Sequence, residues 1–115
     1  NSAVWICDLY GNIISKKTSL ISHKDICEAL VHKNVFYHSA VMMRRRIFDK
    51  VMYNKKHKRS QDYGLWVECM KHKFEFGGIN DTLVTRCRHD GAFGVKFKSY
   101  QRRTSKRIRK NIQGI

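Results

Sequence analysis

Tyr63, Trp66, Val67 and Met70 fall at i, i+3, i+4 and i+7, the repeat of a single helical face. A stripe that wide and that aromatic has to leave water, so the chain must build a core around it. The spacing predicts a helix over residues 60–72, with Ser60 as N-cap and Asp62 at the second helical position. An Asp in a first helical turn complements the helix dipole, worth ~0.3–1 kcal/mol, whatever else it does. The required core fits one domain of 115 residues, 42% of them hydrophobic and 11% aromatic. That composition excludes a disordered tail. No run of about 18 apolar residues is present to form a transmembrane helix.

Upstream, residues 4–7 and 12–14 are β-like runs joined through Tyr10-Gly11-Asn12, and Gly-Asn suits a tight hairpin. Ser22 opens Ser-x-x-Asp, a capping-box-like helix start, with Ile26, Leu30 and Val31 as the apolar face and Asn34 to close it. Residues 35–37 and 40–43 read as extended chain around His38-Ser39. A short helix with Ile47, Phe48 and Val51 inward follows, then a basic loop over residues 53–59. After residue 72, Phe74 and Phe76 alternate, Gly77-Gly78 breaks the chain, and residues 82–87 are β-like. Beyond Gly94, the residues Phe97, Tyr100, Thr104, Ile108, Ile112 and Ile115 recur every three or four positions among Lys and Arg, which predicts a basic amphipathic helix.

Twenty-four Lys and Arg stand against nine Asp and Glu, a net charge of +15. Residues 44–59 hold eight basic residues and one acidic residue, Asp49; residues 91–115 hold eight basic residues and no acidic one. The stretch between them is nearly neutral and contains Asp62. Two basic blocks around one acidic island fit an anionic partner held beside a carboxylate, although solvated surface is the plainer account of any charge run. Cys7, Cys27, Cys69 and Cys87 form no Cys-x-x-Cys pair, which argues against structural zinc. With no export signal visible, reduced, mostly buried thiols in a cytoplasmic protein are expected. The chain starts at Asn1 rather than Met, so a processed or trimmed chain is expected.

The sequence holds neither common Gly-rich phosphate loop, no Gly-x-Ser-x-Gly elbow and no Asp-x-Asp pair. Asp62 is the carboxylate of interest, because a helix start beside a basic loop can present it to a substrate hydroxyl.

Ser60-Gln61-Asp62-Tyr63-Gly64-Leu65-Trp66 resembles the (Glu/Gln)-Asp-Tyr-x-Leu-Trp signature of family 2 glycosyltransferases with the GT-A fold. Phe36-Tyr37-His38-Ser39-Ala40-Val41-Met42-Met43-Arg44-Arg45 resembles the His-Pro-Ser-Val-Met-Phe-Arg-Arg segment that precedes it, and Leu83-Val84-Thr85-Arg86-Cys87-Arg88-His89-Asp90 the Leu-x-x-Tyr-Arg-x-His strand that follows. Asp8-Leu9-Tyr10-Gly11-Asn12-Ile13-Ile14 fits the family's middle region. The resemblance covers roughly residues 4–93, with Ser39 where Pro is frequent, Gln61 for the commoner Glu and Thr85 for Tyr.

This resemblance implies an α/β fold: a partial GT-A-like fragment with a small mixed sheet and packed helices, lacking the N-terminal nucleotide-binding half. It divides the chain into an acceptor-side part over residues 1–94 and a basic helical tail over residues 95–115. Asp62 is the implied general base of an inverting transfer from a nucleotide diphosphate sugar, in polysaccharide biosynthesis. His38, Ser39, Gln61 and Trp66 are the implied acceptor-site residues. His89 is the implied ligand of a divalent cation, Mg or Mn, in the complete enzyme; the fragment itself is expected to hold no cofactor and to be inactive. Trp66 on the apolar stripe also suits a core residue, His38 a satisfied core histidine, and His89 an ion pair with Asp90.

The expected partners are the nucleotide sugar and a glycan or lipid-linked acceptor, with residues 95–115 on an anionic membrane surface. The location expected is cytoplasmic, at the inner face of that membrane. A homo-oligomer is also expected, built through Trp5, Ile6 and residues 35–41, where the absent half would have packed. The competing class is a small basic nucleic-acid-binding protein, favoured by the charge but matched by no nucleic-acid module.

Overall fold

The computed structural model describes residues 1–88 and 98–112. Strand β1 (Ala3–Cys7) is the centre of a three-stranded sheet. β2 (Ile13–Lys17) pairs with it antiparallel, with Val4 opposite Lys17, Trp5 opposite Lys16 and Ile6 opposite Ser15. The turn is set by Asp8, whose carboxylate accepts the backbone N–H groups of Tyr10 and Asn12, both at 2.9 Å, and the Asn12 side chain at 3.2 Å. Those bonds, the Asn12 N–H first, hold the Asp8 carboxyl below its ordinary pKa. Gly11 supplies the left-handed φ of +82° that the turn needs.

β3 (Thr82–Cys87) joins the other side of β1 in parallel, with Val4 opposite Val84 and Cys7 opposite Cys87. The chain start is tied to the same region: the Asn1 ammonium donates to the Gly77 carbonyl at 2.8 Å, and Ala3 N–H donates to Asp81 at 3.1 Å.

α1 (His23–Leu30) begins where Ser22 Oγ accepts the Asp25 N–H at 3.1 Å, and it buries Ile26 and Leu30 completely. It ends by Val31, with His32 and Lys33 N–H groups both returning to the Ala29 carbonyl, so Asn34 does not close it. The stretch expected to be extended around His38-Ser39 contains a 3₁₀ turn, His38–Ala40, and the short helix after it is also 3₁₀, Arg45–Asp49. Val51 is buried as expected, while Ile47 and Phe48 pack at the core's margin.

α2 (Gln61–Lys71) is buried nearly all round. Tyr63, Trp66, Val67 and Met70 are inside as their spacing predicts, and so are Gly64, Leu65 and Cys69. The reason is that α2 packs between α1 and a second helix, α3 (Lys98–Lys110), which buries Thr104 and Ile108. Ile108 and Ile112 belong to the same core cluster as Trp66 and Leu30. Phe97 and Ile115, and the expected boundary at residues 94/95, lie outside the described residues. Ser60 occupies the N-cap position without capping: its hydroxyl is 3.3 Å from both the Gln101 carbonyl and Ser105 Oγ, so it fastens α3 to the start of α2.

Candidate functional site

The start of α2, the end of α1, the 3₁₀ turn at His38, β3 and α3 enclose a cleft of about 1070 Å³. Lys17, Lys33, Arg59 and Arg86 line it, and Asp62 is the single carboxylate among the described residues that do. One carboxylate among four cations favours a ligand that brings negative charge and a polar hydrogen.

Asp62 is half-buried in the first turn of α2. Its Oδ1 accepts the Tyr63 N–H at 2.8 Å, and its Oδ2 accepts the Asn34 side-chain amide at 3.1 Å. A carboxylate offers about four acceptor sites, so two fixed donors orient it and leave capacity for a hydroxyl. Asn34 is therefore a positioning residue rather than the helix terminator its place in the sequence indicated.

His38 and Ser39 line the cleft as well. The His38 ring stands on Trp66 at 5.8 Å, edge to face, and its Nε2 is 2.8 Å from the Tyr53 hydroxyl. Tyr53 feels the carboxylate: burial, then the Asp62 charge, raises its pKa above the ordinary phenol value. Trp66 itself is 2% exposed, packs edge-on against Phe36 at 5.5 Å and does not line the cleft; it holds His38 from behind. Gln61 is exposed and stands outside the cleft lining. His89 lies outside the described residues. Among the described residues no three His, Cys, Asp or Glu side chains gather as a metal site would require. The described part of the cleft therefore does not by itself fit a bound divalent cation.

Sequence reasoning missed Tyr53, placed in a basic loop, and Arg86, read as part of a strand. Arg86 lines the cleft with its guanidinium 5.1 Å from the centre of the Tyr37 ring, a cation–π contact that fixes its direction. The available signal for Arg86 was its place two and four residues after Val84 and Thr82, on one face of a two-residue repeat; none pointed to Tyr53, whose contact to His38 crosses the 3₁₀ turns.

The structure defines a small mixed α/β domain with a cationic cleft around one oriented carboxylate. Comparison with known proteins adds a relationship. The chain is 30% identical over 84 residues to an uncharacterized glycosyltransferase of Methanocaldococcus jannaschii, covering 72% of this chain and 29% of that protein. It is 28% identical over 93 residues to an uncharacterized glycosyltransferase of Haemophilus influenzae, covering 78% of this chain and 28% of that protein. The chain thus spans less than a third of the length of the curated relatives it matches. No family model matches the chain, and no solved structure matches it. The two likenesses support a relationship to glycosyltransferases.

Proposed function

We propose that this chain is the acceptor-side part of an inverting family 2 glycosyltransferase of GT-A fold, with Asp62 as general base. The observation that carries the reading is the Asp62 carboxylate, oriented by Asn34 in a cleft that Lys17, Lys33, Arg59 and Arg86 also line. An acceptor hydroxyl donates to Asp62. Its oxygen forms the new bond to the anomeric carbon as the bond to the diphosphate breaks, and the electron pair leaves with the diphosphate. The proton passes to Asp62. The hydroxyl acidifies as its bond to carbon forms, so the proton transfer can come late. Lys17, Lys33 and Arg86 favour the charge that develops on the leaving group.

His38 and Ser39 meet the acceptor directly, Trp66 supports His38, and Gln61 contacts the acceptor's outer end. The nucleotide sugar is bound by another part of the enzyme. A divalent cation, Mg or Mn, belongs to that complete enzyme, with His89 as this chain's ligand, and no step here depends on it. The acceptor is a glycan or a lipid-linked sugar, and the enzyme works at the cytoplasmic face of a membrane. No helix among the described residues is long and apolar enough to cross one.

The test is Asp62→Asn in a polypeptide that includes the donor-binding part. Transfer should fall on the order of 10²–10⁴-fold with the fold intact, because Asn is nearly isosteric and is tolerated at a helix start. An unchanged rate would return Asp62 to a role at the helix dipole. The 115-residue chain alone should show no sugar transfer.

A further inference from the structure

The two basic segments, far apart in sequence, meet in space. The Arg59 guanidinium lies 5.6 Å from the centre of the Tyr100 ring, and Ser60 reaches both Gln101 and Ser105. The loop before α2 therefore runs along α3. Lys55, Lys56 and Lys58 on the loop are exposed, as are Lys98, Arg102, Arg103, Lys106, Arg107 and Lys110 on and around α3. No acidic residue occurs between Lys50 and Gln61, or between Lys98 and Ile112.

A basic amphipathic helix ordinarily enters a membrane surface by its apolar face. Here that face is already used: Thr104, Ile108 and Ile112 are buried against the core. What α3 turns outward is charge. The same face borders the Asp62 cleft, which Arg59, Ser60, Gln101 and Ser105 help to line.

We infer that the loop at residues 53–59 and α3 form one cationic docking face for an anionic lipid bilayer, bound by charge without insertion. This rests on the transferase reading, because it brings the cleft's edge to a surface that carries a lipid-linked acceptor. A nucleic acid is the other polyanion that suits such a face, but its two exposed tyrosine rings are already engaged: Arg59 lies over Tyr100, and Tyr53 packs against His38 and Phe48.

Each basic residue near an anionic surface is worth about fivefold in partition, so three are worth on the order of a hundredfold. The experiment is co-sedimentation of the whole chain with phosphatidylcholine vesicles, with and without phosphatidylglycerol. Binding is expected only to the mixed vesicles and should fall as salt rises. The triple variant Lys55→Gln, Lys56→Gln, Lys58→Gln should weaken it on the order of a hundredfold, and so should Arg102→Gln, Arg103→Gln, Lys106→Gln. Both should melt as the parent does, since all six side chains are exposed.

Parent-like binding by either triple variant, or binding that survives high salt, overturns the shared electrostatic face. Tighter binding to duplex DNA or RNA than to the mixed vesicles overturns the choice of a bilayer. Asp62→Asn should bind vesicles like the parent. Loss of transfer to a water-soluble acceptor, when the same substitution is made in a polypeptide that includes the donor-binding part, tests the transferase reading separately, so either idea can fail without the other.

Discussion

Gly64 has no side chain because the His57 ring occupies that space; a Cβ there would overlap ring Nδ1. Gly64→Ala gains about 1 kcal/mol of helix propensity, but displacing a packed ring costs roughly 1–3 kcal/mol. A net loss in urea unfolding is expected, relieved by adding His57→Ala. Burial holds the His57 pKa below its ordinary value; the Glu68 charge opposes this, while Arg107 and Lys71 reinforce it. The unfolded chain therefore takes up that proton first as pH falls below about 6.5, and stability is lost through that window. In Gly64→Ala this acid sensitivity should shrink, which a pH series of melts will show. Cys69 behaves in the opposite sense. Burial, then the Glu68 charge, pushes its thiol up to about 11. The native state keeps a proton that the unfolded chain loses near pH 9, so stability falls as pH rises from about 9 to about 11. Cys69→Ala should flatten that alkaline slope, measured as denaturation midpoint against pH. Cys87 is exposed, so it should be the first thiol modified.

α3 is where an element's own pattern and its neighbours meet. Its apolar repeat at Thr104, Ile108 and Ile112 was legible in the sequence, but the surface it covers was not. Ile108→Ala should cost about 2–5 kcal/mol, a core value, and a rim position would lose far less; equilibrium denaturation distinguishes them. α2 was legible for the same reason as α3: its 3.6-residue stripe is a local signal. Leu65 and Cys69 fall outside that stripe and are buried only because α1 and α3 flank the helix, which no local period encodes. The hairpin of β1 and β2 was legible through Gly11, although the bonds that close its turn come from Asp8. At the site, Asp62 stood out through its motif, whereas Asn34 and Tyr53 reach it by contacts 28 and 15 residues apart in sequence, Asn34 to Asp62 and Tyr53 to His38. Ser60 shows the limit most plainly: its residue type fits an N-cap, yet its hydroxyl goes to partners on α3 that are 41 and 45 residues away.

Across the whole molecule the apolar surface is divided unevenly. Ile6 and Phe36, expected near a contact between copies, are 2% and 8% exposed within one chain, and Trp5 stays 37% exposed beneath Lys16. The sheet's outer strands leave more: Ile13, Ile14 and Leu83 are each more than half exposed. We propose that copies associate through these strands rather than through residues 35–41. Salt screens the repulsion of a +15 chain, so association should strengthen as salt rises, in sedimentation at two ionic strengths. Leu83→Lys should abolish it. A monomer under both conditions would show that the sheet tolerates its open edges. The order of the strands has a consequence in time. β1 finds β2 across a short turn, but its parallel partner β3 begins only at Thr82. A chain emerging from the ribosome exposes β1 with one flank bare until Cys87 has been made and freed from the exit tunnel. Closing so long a loop must precede the contacts that reward it. Strand β1, made well before β3, is thus completed late, and during that interval its bare edge is open to any other nascent strand.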